Sequence, residues 1–204
     1  MGYTMLCDDI QAAIYDDNQI KNHIYENEVL CGKDLSDIEF NNVKFIKCRF
    51  QRCKFAKSSF YNSVFDKCDL SNCNFVDSYW KCTVLTNCKC DGGQFNGSVF
   101  KEIKLLVNSF RFANFVKSKW SKSEVKSCVF SEVCLSEVLF KTLTLSENNF
   151  SGADFFKTTL SGLDFSDSTI DGITVSESFK ELKGMKINSA QATDIAKLIG
   201  ITII

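Results

Sequence analysis

The chain has no proline and a single histidine, His23. One histidine excludes most catalytic triads that use imidazole as the base. No glycine-rich phosphate loop is present, which removes the common nucleotide-binding motifs. No run of 18 apolar residues exists, so no membrane-spanning helix is expected. The first 20 residues lack the basic-then-apolar order of a secretory leader. Gly2 follows Met1, but Leu6 stands where a myristoylation signal needs Ser or Thr. These absences point to a cytoplasmic protein away from membranes, with no enzymatic activity and no cofactor.

What the chain does have is phenylalanine, 19 copies in 204 residues, and 11 cysteines, within an apolar content of 45%. The phenylalanines are periodic. Every fifth residue from Leu35 to Val175 is apolar, 29 positions without a break, and 16 of the 19 Phe fall among them. A helix face repeats every 3.6 residues and a strand face every 2, so period five fits neither alone. Two residues before each apolar centre a small residue recurs, as in Cys48, Cys53, Ser58, Ser63, Cys68, Cys73, Ser78 and Thr83. The other three places carry mostly polar residues. Each unit therefore has one large inward residue, one small inward residue and three outward ones.

Six cysteines (Cys48, Cys53, Cys68, Cys73, Cys88 and Cys128) occupy the small inward slot, where free thiol acts as a small buried group. A zinc site needs four converging ligands, usually in close pairs, and the repeat spacing gives none. A ladder of disulfides is disfavoured because stacked side chains point the same way. Trp80 and Trp120 replace Phe at the centre and belong to the core.

Segments such as Ser151-Gly-Ala-Asp-Phe155 and Ser161-Gly-Leu-Asp-Phe165 resemble the pentapeptide-repeat family, whose pattern is small, Asp/Asn, Leu/Phe, Ser/Thr, Gly. The resemblance implies an all-β fold, a right-handed quadrilateral β-helix with four pentapeptides per coil. At ~4.8 Å per coil the regular rod would be roughly 35 Å long. The domain boundaries expected are a degenerate N-terminal coil or cap over 1–32, the β-helix over 33–177, and a C-terminal helix and tail over 178–204. Met5, Ile10, Tyr15, Ile20, Tyr25 and Leu30 keep the phase upstream, but Asp8, Asn18, His23 and Glu28 spoil the small slot.

The last 27 residues leave the repeat. Asn188 or Ser189 is a candidate helix cap, and Ile195, Leu198 and Ile199 form an apolar stripe. Leu182, Gly184, Lys186, Ile187, Asn188, Gln191, Ala192, Leu198, Gly200 and Ile201 closely resemble the C-terminus of the quinolone-resistance (Qnr) branch of the family. That resemblance implies a homodimer joined tail to tail, here through Leu182, Ile187, Ile195, Leu198, Ile199, Ile201 and Ile203. It also implies a DNA-like rod that binds DNA gyrase or topoisomerase IV, with no direct contact to nucleic acid.

The charge pattern bears on this. Net charge is −1, but the segment 131–177 holds eight acids (Glu132, Glu137, Glu147, Asp154, Asp164, Asp167, Asp171 and Glu177) against Lys141 and Lys157, net −6. These acids are the expected partner-binding surface. A basic run, Lys44, Lys47, Arg49, Arg52, Lys54 and Lys57, lies at the other end. Some Qnr relatives carry projecting loops linked to drug protection, and the unbroken phase leaves no room for one; loop-free relatives of the MfpA kind inhibit gyrase. A structural or protein-interaction solenoid with a different partner is the alternative.

Overall fold

The computed structural model describes residues 5–16 and 18–203. A single parallel solenoid runs through them, and register advances by 20 residues per coil: Gln19 pairs with Glu39, Phe40 with Phe60, Phe45 with Phe65. Four five-residue sides make each coil. Side one carries the inward column Phe40, Phe60, Trp80, Phe100, Trp120; side two Phe45, Phe65, Leu85, Leu105; side three Phe50, Leu70, Cys90, Phe110, Phe130; side four Phe55, Phe75, Phe95, Phe115. Sides one and two pair as short strands, while sides three and four are mostly joined by single bridges such as Asn74 to Gln94.

The corner explains the period. Two residues after each centre the backbone turns through positive φ, at Asn42, Lys47, Arg52 and Lys57 and on through the rod. Asn and Gly suit this left-handed geometry. Val107 (φ 58°) and Phe112 (φ 57°) do not, and both are exposed there.

Inside, the aromatic columns stack at coil spacing. Phe75 and Phe95 lie 4.9 Å apart at 3°, and Phe95 and Phe115 4.7 Å apart at 5°. The small slot has a second task beside being small. Its side chain donates to the carbonyl of a centre residue 23 positions back: Ser58 to Leu35 at 2.7 Å, Cys73 to Phe50 at 2.9 Å, Ser98 to Phe75 at 2.7 Å. Cysteine therefore replaces serine as a weak donor as well as filling space. Both indoles are satisfied by the same slot, Trp80 Nε1 on Ser78 Oγ at 2.7 Å and Trp120 Nε1 on Ser118 Oγ at 2.9 Å.

All 11 thiols are free. Burial pushes the Cys73 thiol up to about 12, and Cys128 to about 11. Thiolate is the reactive form. Native protein treated with iodoacetamide is therefore expected to be modified at exposed Cys31 and Cys82 and spared at the six slot cysteines, with no change in Tm on adding reductant. Rapid labelling of all thiols, or a large fall in Tm with reductant, would contradict the packing.

Residues 1–32, expected as a degenerate coil or cap, contain a helix followed by a coil. Leu6–Tyr15 is a helix, α1, and buries Leu6, Ile10 and Ala13 against the first coil. Met5 and Tyr15 keep the five-residue phase yet are exposed, because a helix does not read it. The first coil starts at Gln19, so the β-helix begins earlier than residue 33. His23 and Glu28 are tolerated because they sit at its edge; the His23 ring stacks on Tyr25 at 4.4 Å.

The C-terminal boundary also moves. Asp164 bridges to Lys186, a step of 22 residues instead of 20, because a 3-10 turn at Lys180–Leu182 inserts extra chain. The coil thus continues past residue 177. Glu181 in this turn is buried and accepts from the Lys157 amide at 2.9 Å and from Ser176 Oγ at 2.9 Å. Burial alone would raise its carboxyl; the amide and hydroxyl donors outweigh that and hold it below the usual range.

One defect interrupts the regular part. The strand Leu139–Ser146 pairs with Lys119–Lys126 on one edge and, among the described residues, has no strand partner on the other. Bridges continue on side three (Asn149 to Thr169) and side four (Asp154 to Thr174), but none among the described residues joins 139–146 to 159–166. On side two the small slot runs Val43, Ser63, Thr83, Ile103, Ser123, and then Leu143 and Leu163 in consecutive coils. The interruption falls where two leucines occupy consecutive small slots. Phe140 leaves the aromatic column, 6.2 Å from Trp120 and tilted by 58°. Amides of Phe140 and Leu145 are expected to exchange at least about tenfold faster than those of Trp120 and Val125, as local openings do. Equal protection would mean the seam is closed.

Candidate partner-binding surface

The eight acids are outward by construction. Each occupies a polar place in its unit, so the coil distributes them over sides. Glu147, Asp164 and Asp167 lie on side two, Glu132 and Asp171 on side three, Glu137, Asp154 and Glu177 on side four. Side one holds only Lys141 as a charged residue in this segment. The sequence positions of the acids thus become a three-sided anionic wrap.

Several of these carboxylates are held in place. Asp154 accepts from the Phe156 amide at 2.9 Å and from Ser136 Oγ at 2.5 Å. Asp164 accepts from the Ser166 amide at 3.0 Å, and the Ser166 donors keep its carboxyl below the usual range. Asp171 accepts from Ser151 Oγ at 2.6 Å, Glu147 from Ser127 Oγ at 2.9 Å, and Asp167 from Ser146 Oγ at 3.1 Å. None of the eight has a salt bridge among the described residues. They present fixed charge without an ion-pair partner there.

The C-terminal residues divide into two groups. Helix α2 spans Ala192–Leu198, and neither Asn188 nor Ser189 is its cap; Gln191 is, without a side-chain cap bond of its own. Asn188 and Gln191 instead bond reciprocally, amide to side chain, at 2.8 and 3.0 Å. The buried Gln191 side chain donates to the Phe165 carbonyl at 2.8 Å and ties the helix to the rod. Leu182, Ile187, Ile195 and Leu198 pack against the core of the same chain. Ile199, Ile201 and Ile203 are exposed, by 42, 52 and 52%. Ile204 lies outside the described residues.

No group of three or more metal-ligating side chains occurs among the described residues, and no helix there is long and apolar enough to cross a membrane.

Geometry and sequence profiles agree on the family. Profiles of Pentapeptide repeats match residues 40–81 and 63–101. Residues 40–101 carry pentapeptide repeats. The solved structure of HetL, a pentapeptide-repeat protein involved in heterocyst differentiation regulation from the cyanobacterium Nostoc, is similar at TM-score 0.76 and 12% identity, over 86% of this chain and 81% of HetL. A trypsin-treated variant of QnrB1, a plasmid-mediated fluoroquinolone resistance protein, matches at TM-score 0.52 and 21% identity, over 91% of this chain and 97% of that one. At these identities the likeness is one of fold. No curated protein sequence matches significantly.

The sequence reading missed two features of the pentapeptide rod. The donor role of the small slot was signalled by its restriction to Ser, Thr, Cys and Asn in most units. The leucine pair at 143 and 163 signalled the seam.

Proposed function

We propose that this pentapeptide-repeat protein acts without catalysis, as a cytoplasmic homodimeric rod that occupies the DNA-binding saddle of DNA gyrase or topoisomerase IV. The observation that carries the reading is the anionic wrap of residues 131–177 placed next to an exposed apolar tail. Joining two tails through Ile199, Ile201 and Ile203 would bring two such wraps together at the centre of a longer rod. A saddle lined with Lys and Arg recognises phosphates along DNA. Fixed carboxylates on a rod supply the same sign of charge and no scissile phosphodiester.

The experiment is capture of partners from a bacterial lysate by the tagged protein, run beside the chain lacking residues 190–204. Gyrase or topoisomerase IV subunits should be recovered by the full chain, which should sediment as a dimer, while the truncated chain is monomeric or aggregates. Recovery of neither enzyme would overturn the topoisomerase reading; a truncated chain that remains a soluble dimer would overturn the tail-to-tail assembly.

A second reading is an interaction solenoid with a different partner. The net charge of −1, small for a mimic of DNA, favours it. Other proteins captured in stoichiometric amount, without topoisomerase, would establish it.

A further inference from the structure

Side one differs in charge from the other three sides over the middle of the rod. Between Tyr79 and Thr142 it carries Lys81, Lys101, Lys119, Lys122 and Lys141 against one acid, Glu102. The other sides over the same stretch carry five basic residues and four acids. The lysines are aligned by the ladder. Tyr61 pairs with Lys81, Lys81 with Lys101, Lys101 with Ser121 and Ser121 with Lys141, all outward on neighbouring strands. Lys119 stands in the parallel row that passes through Tyr79 and Val99. Of these lysines only Lys122 has an ion pair among the described residues, with Glu102 at 3.8 Å.

Lysines opposed on adjacent strands repel and destabilise a sheet. The fold does not require them, since the same rows hold Asn41 and Ser59 in earlier coils. In the same rows, one or two coils before the lysines, stand the only described tyrosines of the regular coils that point outward, Tyr61 and Tyr79, with ring centroids 5.6 Å apart and planes at 44°. A cationic strip tracking the backbone and outward aromatic rings for unpaired bases are the two parts of a single-strand binding platform.

We propose that side one binds single-stranded nucleic acid, with phosphates along Lys81, Lys101, Lys119 and Lys141 and a base stacked on the Tyr61–Tyr79 pair. From the Tyr61 coil to the Lys141 coil is four steps, about 19 Å at the usual strand spacing. That length accommodates about four nucleotides, the lower end of known platforms. An acidic protein would use the lysines but leave the tyrosines idle, and this is why nucleic acid is the favoured occupant. The proposal is independent of topoisomerase binding, which uses the other three sides.

The test is fluorescence anisotropy of the full chain with a labelled fifteen-nucleotide oligothymidylate, a duplex of equal length, and polyglutamate. The oligothymidylate should bind more tightly than the other two. For four phosphate contacts, the slope of log K against log salt should be about −3. Lys81→Gln with Lys101→Gln should weaken binding about tenfold and flatten the slope. Tyr79→Ala should weaken it several-fold and leave the slope unchanged, a split that misfolding would not produce; unchanged circular dichroism is checked for each. Absence of binding at low salt would overturn the proposal. So would equal binding of polyglutamate with no effect of Tyr79→Ala, which would indicate an acidic protein partner. Loss on changing Lys44, Lys47 and Arg49 to Gln, with side-one variants unaffected, would also overturn it.

Discussion

Phe95→Ala is expected to destabilise the protein by about 3–5 kcal/mol, the range for removing a ring from a packed core. Phe95 is 1% exposed and lies between Phe75 and Phe115 with nearly parallel rings. It also meets Phe100 and Phe110 from adjoining sides, at 6.1 and 6.0 Å. The coils above and below are fixed by backbone ladders: the Phe95 amide donates to the Asn114 carbonyl at 2.7 Å and the Phe75 amide to the Gln94 carbonyl at 2.7 Å. The cavity therefore cannot collapse along the rod, which places the cost toward the upper end. Repeat rods gain stability from nearest-neighbour contacts, so the loss should appear as a lower midpoint in chemical denaturation. A change under about 1 kcal/mol would show that the column does not hold the coils together as assigned.

The same column shows why the coiled region was legible in the sequence. A strand side of three residues with one inward centre, followed by a left-handed corner, leaves a five-residue period that no other element produces. The ends were less legible because the code stops there. In α1 the residues Leu6, Ile10 and Ala13 obey helical spacing, while Met5, Ile10 and Tyr15 happen to keep period five. The loss of the small slot at Asp8 does not separate the two, because Asn18 shows the same loss before Ile20 in the first coil. At the other end, the 3-10 turn at Lys180–Leu182 shifts the phase, so a five-residue count loses the last coil although Ile187 still packs on the core. For the acids, side assignment follows from position modulo 20. Their clasping by Ser136 and Ser151 did not follow from the count, because it depends on which neighbour in the adjoining coil is a hydroxyl, while the Ser166 amide reaches Asp164 locally, two residues on.

That clasping shapes the charge test. Asp154, Asp164 and Asp167 changed together to Asn should preserve fold and dimer and weaken topoisomerase binding at least tenfold, which is about 1.4 kcal/mol. The fold should survive because Asn already performs the same turn bond elsewhere. Asn74 Oδ1 accepts from the Val76 amide at 2.9 Å and Asn114 Oδ1 from the Val116 amide at 3.0 Å, as Asp154 and Asp164 do for Phe156 and Ser166. Only charge changes, three units per chain and six per dimer. Attraction between a carboxylate wrap and a basic saddle is long-ranged and screened over ~10 Å at 0.1 M salt. Charges of this kind act mostly on association rate and salt dependence. Wild-type affinity for the gyrase DNA-binding region should accordingly fall steeply between low and physiological salt, and the triple variant should fall less. Oligothymidylate binding on side one should be unchanged or slightly stronger in the same variant, since it gains from the lost negative charge. Equal affinity of the two proteins for gyrase, with no salt dependence in either, would remove DNA mimicry and leave an interaction rod whose partner recognises something other than its carboxylates.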